Sequence, residues 1–384
     1  MILFLLTFFL LYGGMHWYVF RKIMTAFTLS APVFIFLILL MSFMVSAPLL
    51  VRLAEGEGLE SFAVLLAYAG YIWMGVLFLF FTASILVDSA CLLVRLSGIF
   101  AGVDLERFLP GNGRIFAAVS LLSAGAAIYG YFEALDLRTE RVRISTDKLP
   151  PAVRRLTIVQ ISDVHLGLVV GEKRLRRIIE KIREARPDLV VSTGDLVDGQ
   201  TDSMGTLADE FRKLNPSYGK YAVTGNHEFY AGIKHAMDFT RSAGFTVLRG
   251  TAEEAGGVLT VAGVDDPAGL GFGEAVIDER DVLKRASRDK FVLLLKHRPT
   301  VMGREGFLFD LQLSGHTHKG QIFPFNVVTG LFYPIKTGLS TLDGSSSLYV
   351  SRGTGTWGPP IRFLAPPEIT VIELLNAETE GSSG

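Results

Sequence analysis

Two histidines, His316 and His318, stand two residues apart in the stretch SGHTHKGQIFP, directly after the apolar run FDLQL. Four other stretches also place potential ligands where apolar runs of strand length end. These are Asp163 and His165 in QISDVHLG, Asp195 and Asp198 in STGDLVDG, Asn226 and His227 in VTGNHEF, and His297 in LLLKHRP. Carboxylate, imidazole and amide oxygen together suit borderline dications such as Mn, Fe(II) or Zn. A thiolate site is excluded, because the single cysteine, Cys91, lies in a different part of the chain. Side chains i and i+2 at an extended strand end project to the same side. Asp163 with His165, and His316 with His318, are therefore each expected to present two donors to one place. Asp163, His165, Asp195, Asn226, His297, His316 and His318 are too many donors for one ion and suit two that share a carboxylate.

The charge of two dications exceeds that of Asp163, Asp195 and a bridging hydroxide, leaving net positive charge where a phosphoryl group could bind. Two metals about 3.5–4 Å apart lower the pKa of bound water and clamp both oxygens of an in-line displacement. Hydrolysis of a phosphate ester by attack of metal-bound hydroxide then needs a proton for the leaving group. His227, beside a ligand but with its own side chain free, is positioned to supply it. Taken singly, Asp163 and Asp195 are ordinary turn residues, and Asn226 after Gly225 fits a left-handed turn. Together with their neighbours they read as ligands. Glu228 stays outside the site, and His16 and His235 are read as structural.

These loops need a rigid scaffold. From Arg154 onward, short β-rich runs alternate with amphipathic stretches: RRLTIVQIS, DLVVST, GKYAVT, FTVLRG, GVLTVAGV, KFVLLLKH, FDLQLSG, SSLYVSR and EITVIEL read as strands. The spacing predicts a helix in GEKRLRRIIEKIREARP, stopped by Pro187. So many strands imply two packed sheets flanked by helices. The aromatic stretch QIFPFNVVTGLFYPIKTG is expected to pack under a long loop, with a lipid-facing surface as the alternative.

The N-terminal third has another composition. Only twelve of the chain's 75 charged residues lie before Glu133. Four segments, Met1 to Phe20 and those starting at Ala31, Ser61 and Ile115, are long and apolar enough to cross a membrane as helices. The organisation expected is a helical membrane domain over 1–132, a connector over 133–153, an α/β domain over 154–376 and a disordered polar tail over 377–384. Arg21, Lys22, Arg95, Arg107 and Arg114 put the first and third loops in the cytoplasm and the α/β domain outside it. The net charge of −1 leaves no nucleic-acid footprint. Oligomeric state is not legible.

Asp-x-His, Gly-Asp-x-x-Asp, Gly-Asn-His-Glu, a lone His and Gly-His-x-His, in this order from Leu156 to Leu374, resemble the calcineurin-like metallophosphoesterase superfamily. The wording GHTHKGQI, SRGTGTWGPPIR and APPEITVIEL is similar to its membrane-associated bacterial members. The resemblance implies a four-layer α/β/β/α sandwich of two mixed sheets and a bacterial inner or plasma membrane location. It also implies one metal on Asp163, His165, Asp195 and His318, and a second on Asp195, Asn226, His297 and His316. By the same resemblance Asp195 would bridge them, His227 would be the acid or electrostatic stabiliser facing the substrate, and Asp198 would orient it. The implied substrate is a phosphodiester, pyrophosphate or phosphomonoester, with a phospholipid or lipid-linked nucleotide sugar among the candidates. GDLVDGQ lacks the arginine that protein-phosphatase relatives carry after their second Asp, which disfavours a phosphoprotein. Lys319, Arg352 and Trp357 are candidate substrate contacts. A non-catalytic metal-binding scaffold on the same fold is the alternative, and the complete ligand set favours the enzyme.

Overall fold

The computed structural model describes residues 2–199, 204–301, 307–342, 344 and 346–377. Residues 378–384 of the expected tail, and Gln200, lie outside the described residues. Two compact units are present: residues 1–132 with 358–363, and residues 133–357 with 364–384.

The first unit is helical: α1 (Ile2–Ala26), α2 (Ala31–Gly56), α3 (Glu60–Ala101) and α4 (Asn112–Leu135). Among the described residues α2, α3 and α4 are long and apolar enough to cross a membrane, judged by length and composition. Their large apolar side chains point outward, as with Phe36, Leu65 and Leu121. An inner cluster of Tyr12, Val19, Met41, Leu77, Phe80 and Val119 joins the helices. The third apolar segment extends into a helix of 42 residues, roughly twice what a hydrocarbon core about 30 Å thick requires. The first segment forms a helix that continues past Phe20 to Ala26. His16 therefore does not end a span. It is buried within α1, where its Nδ1 pairs with the Tyr12 carbonyl at 2.8 Å and its Nε2 accepts from Trp73 Nε1 at 2.9 Å.

The second unit carries two six-stranded mixed sheets. In spatial order the first is β1 (Arg138–Thr146), β12 (Glu368–Asn376), β2 (Arg155–Ile161), β3 (Leu189–Ser192), β4 (Lys220–Ala222) and β5 (Thr246–Val247). The second is β10 (Gly338–Thr341), β11 (Ser347–Val350), β9 (Leu311–Ser314), β8 (Phe291–Leu295), β7 (Leu259–Gly263) and β6 (Thr251–Ala255). Helices α5 (Glu172–Glu184), α6 (Met204–Arg212), α7 (Asn226–Ala231), α8 (Ile233–Ser242), α9 (Glu279–Leu283) and α10 (Phe325–Phe332) complete it. Leu175, Ile178, Ile179 and Ile182 recur at helical spacing on α5 and bury one face. They pack on the first sheet together with residues of α6 and α8. Leu156, Ile158 and Val191 of that sheet meet Val261, Leu293 and Leu313 of the other, while Val282 and Leu283 of α9 cover the far side of the second. The layers are α/β/β/α, as the resemblance implied.

Three strands were not anticipated. β1 lies in what reads as connector and pairs in parallel with β12. The strands β6, sequence TAEEA, and β10, sequence GLST, combine weak strand formers with edge positions. Pairing with a neighbour, rather than local propensity, makes them strands. The aromatic stretch also departs from expectation. Phe323, Phe325, Val327, Val328, Leu331 and Phe332 are exposed on and beside α10 instead of packed under a loop.

Candidate metal centre

Parallel neighbours β2, β3 and β4 deliver the loops of Asp163, Asp195 and Asn226 to one edge. Parallel β8 and β9 deliver those of His297 and His316. The i, i+2 pairing does not come from extended strand ends, because both strands stop before the ligands begin. Asp163, His165, Asp195, His316 and His318 instead adopt left-handed backbone, with φ between 47° and 68°. Such conformations cost of order 1–3 kcal/mol each and gather at functional sites. They also split the opening histidine pair: His318 joins Asp163 and His165, while His316 joins Asp195 and His297.

His165 Nε2 lies 3.1 Å from His318 Nε2, and Asp163 Oδ1 lies 3.4 Å from the same His318 atom. On the other side, His297 Nε2 lies 3.1 Å from His316 Nδ1. Asp195 stands between the two groups, with Oδ2 3.2 Å from His297 Nε2 and 3.9 Å from His165 Nε2. Its Oδ1 is taken by the His227 backbone N–H at 2.8 Å. Six of the seven predicted ligand residues, Asp163, His165, Asp195, His297, His316 and His318, thus fall in overlapping groups of potential ligand atoms, and the seventh, Asn226, follows Gly225 with a buried Oδ1 that makes no hydrogen bond.

That geometry fits a cation. The Thr193 carbonyl, 2.8 Å from His297 Nδ1, accepts the proton there and aims Nε2 at Asp195 Oδ2, 3.2 Å away. Burial lowers the proton affinity of His297, but Asp195 and Asp163 outweigh it and push the pKa up to about 10. The same field would hold a metal ion. Burial pushes His165 down to about 4 and, with help from His297, His316 down to about 3, so both keep free lone pairs. Burial raises Asp163 to about 6. Asp195 goes the other way: burial opposes its ionisation, yet His297, His227 and His165 hold it well below the usual carboxylate range.

His227 is not free, as its sequence position suggested. Its Nδ1 is 2.5 Å from Asp198 Oδ1. Burial again works against the charge, but Asp198 and Asp195 raise the imidazole to about 9, so it carries a proton at neutral pH. The Trp357 ring lies 5.7 Å from that of His227, within the site. Lys319 sits in the ligand loop, also in left-handed backbone. Arg352 is engaged elsewhere: its Nε is 2.6 Å from Glu368 Oε2 and its Nη2 pairs with Glu140. Those contacts tie β12 to β1 and do not support a substrate role.

Glu228, left outside the site, proves central to its shape. Its buried carboxylate accepts from the N–H groups of Gly225 (2.7 Å), Asp195 (3.0 Å), Leu196 (2.7 Å) and Val197 (3.1 Å). The legible signal was Glu three residues after Gly225, the spacing of a helix capping box. Close backbone approach does the rest at Gly315, where a Cβ would come within 1.9 Å of Ser162 Oγ and 2.2 Å of Asp163 Oδ2.

Residues 156–320 match the family model described as calcineurin-like phosphoesterase. The chain is 41% identical over 248 residues to an uncharacterized metallophosphoesterase of Aquifex aeolicus (strain VF5), covering 64% of this chain and 95% of that protein. It is 31% identical over 285 residues to a transmembrane protein with metallophosphoesterase domain from Danio rerio, covering 71% of this chain and 65% of the relative. Among solved structures, a putative 5'-nucleotidase from Staphylococcus aureus aligns over 59% of this chain and 55% of its own, with a TM-score of 0.35 and 12% identity. With its candidate ligand residues gathered at one sheet edge and a 41% identical relative matched over 95% of its length, the chain belongs to the calcineurin-like phosphoesterase family of metal-dependent phosphoric ester hydrolases.

Proposed function

We propose that the protein is a membrane-anchored phosphoesterase that holds two divalent ions, Mn, Fe or Zn, and hydrolyses a phosphodiester, pyrophosphate or phosphomonoester. Asp163, His165, Asp195 and His318 would hold one ion, and Asp195, Asn226, His297 and His316 the other. The observation that carries this reading is Asp195 Oδ2, within 4 Å of an imidazole nitrogen from each set. A bound pair of divalent ions would lower the pKa of water and clamp the oxygens of an in-line displacement.

The chain's own part is proton delivery and exclusion of water. Asp198 fixes the Nδ1 proton of His227, which leaves Nε2–H to protonate the departing oxygen. Tyr230 and Trp357 flank the His227 ring at 5.3 and 5.7 Å and shape the leaving-group side. Lipid-linked substrates, a phospholipid or a lipid-linked nucleotide sugar, are supported by the apolar helices and by the exposed Phe325, Leu331 and Phe332 that follow the His318 loop. The membrane is proposed to be a bacterial inner or plasma membrane by the resemblance to membrane-associated bacterial members, and the basic residues of the first and third loops support placing this domain outside the cytoplasm.

The test uses the full chain in detergent, loaded with Mn, on p-nitrophenyl phosphate esters. Asp195→Asn should lose at least about 100-fold in turnover and lose bound metal. Full activity in that variant would sink the reading, and bound metal without turnover on a broad phosphoester panel would favour the scaffold.

A further inference from the structure

A phosphoryl group needs a cation for the oxygens that face away from the metals, and GDLVDGQ supplies none. Arg352 is occupied by Glu368 and Glu140. Arg298, directly after His297 at the end of β8, stands in the right surroundings. Its charge is felt by Tyr333, whose ring packs edge-on against His316 at 5.2 Å. Its charge is also felt by Tyr230, whose ring meets that of His227 at 5.3 Å. Arg298 thus stands near two tyrosines whose rings meet His316 and His227, one on the proposed second ligand set and the other on the proposed acid.

The group is fixed before any substrate arrives. Asp266 takes Arg298 Nε and Nη2 at 2.8 Å each. The Asp266 side chain is fully buried; it accepts from Ala268 N–H at 2.8 Å, and its own backbone N–H donates to Thr224 Oγ1 at 3.0 Å. A guanidinium has five N–H donors, and Asp266 occupies only one edge of the fork. Donors remain on the other edge, and the side chain is 28% exposed, open to a solute. A planar fork matches two phosphate oxygens as a lysine cannot.

We propose that Arg298, aimed by Asp266, binds the non-bridging oxygens of the substrate phosphoryl group on the His297–His316 side of the centre. This rests on the phosphoesterase reading, but its test separates the two. Inorganic phosphate binding to the metal-loaded full chain is measured by calorimetry, alongside KM and kcat on p-nitrophenyl phosphate and metal content by elemental analysis. Arg298→Ala should weaken phosphate binding and raise KM at least tenfold with metal content unchanged. Arg298→Lys, which keeps charge but loses the fork, should recover only part. Asp266→Asn should raise KM by a smaller factor through a loosened arginine. Unchanged phosphate affinity in Arg298→Ala with full metal content overturns the assignment, as does a loss of metal that parallels the loss of phosphate. If Arg298→Ala does not fold, Arg298→Lys decides: wild-type phosphate affinity there refutes the fork. Wild-type protein that binds phosphate through Arg298 but turns over no phosphoester would defeat the enzymatic reading and leave this one standing.

Discussion

At the scale of single residues, opposing pulls on one proton or one lone pair recur through the centre. His227 is buried, which alone would keep it neutral, yet Asp198 and Asp195 give it a proton it holds up to about pH 9. A group raised in this way contributes stability that is present at low pH and disappears as pH climbs through its folded pKa. Its acid role fades over the same window. Asp198→Asn should therefore cut kcat by roughly 10²–10⁴-fold and move the alkaline limb of the pH–rate profile to lower pH, because the largest favourable charge on the imidazole is gone. A profile whose alkaline limb stays put would remove Asp198 from the role. The donor types and their order were legible because aspartate, asparagine and histidine cluster at the ends of apolar runs. Glu228 was legible only as a capping-box residue three places after Gly225; its bonds to the Asp195, Leu196 and Val197 N–H groups were not, because backbone donors carry no residue identity.

Among elements, the loops that follow strands decide the geometry, and they do so through backbone rather than side-chain reach. Gly315→Ala would drive a methyl group into Ser162 Oγ and Asp163 Oδ2. We expect it to lower bound metal to about half or less while far-UV circular dichroism stays unchanged, since only a ligand loop must move. Glu228→Gln replaces one carboxylate oxygen with NH₂, which then faces two of the four N–H donors, an arrangement that costs about 1–3 kcal/mol for each donor left unsatisfied. It should lower Tm and metal affinity together, read by calorimetry. The strands that carry these loops were readable as apolar runs, whereas β1, β6 and β10 were not. Their sequences, RTERVRIST, TAEEA and GLST, become strands only because a partner supplies the other half of the ladder. The left-handed turns at Asp163 and His316 were equally hidden, because the same i, i+2 spacing is compatible with an extended chain.

For the whole molecule, the centre gathers carboxylates and imidazoles in a space where unpaired charge is costly. Ions that bind the folded state alone add stability by mass action, about 2.7 kcal/mol at a free concentration one hundred times Kd. Chelation should accordingly lower the Tm of the metallophosphoesterase unit, and restored Mn should return it; equal Tm values with and without chelator would count against a structural contribution from metal. The division near residue 132 coincides with a shift in charge density along the sequence, and with the α/β domain proposed outside the cytoplasm, protease added to sealed right-side-out vesicles should digest it. The place of β12 also has a temporal meaning. Every proposed ligand precedes Lys319, but β2, whose end leads into Asp163, has β12 as its antiparallel neighbour, and β12 begins only at Glu368. A ribosome adding about 5–20 residues each second thus exposes the whole ligand set before that neighbour exists. Metal capture in its final geometry is a late event in biosynthesis, and a nascent chain halted before Glu368 would hold every donor but not the sheet that aims them.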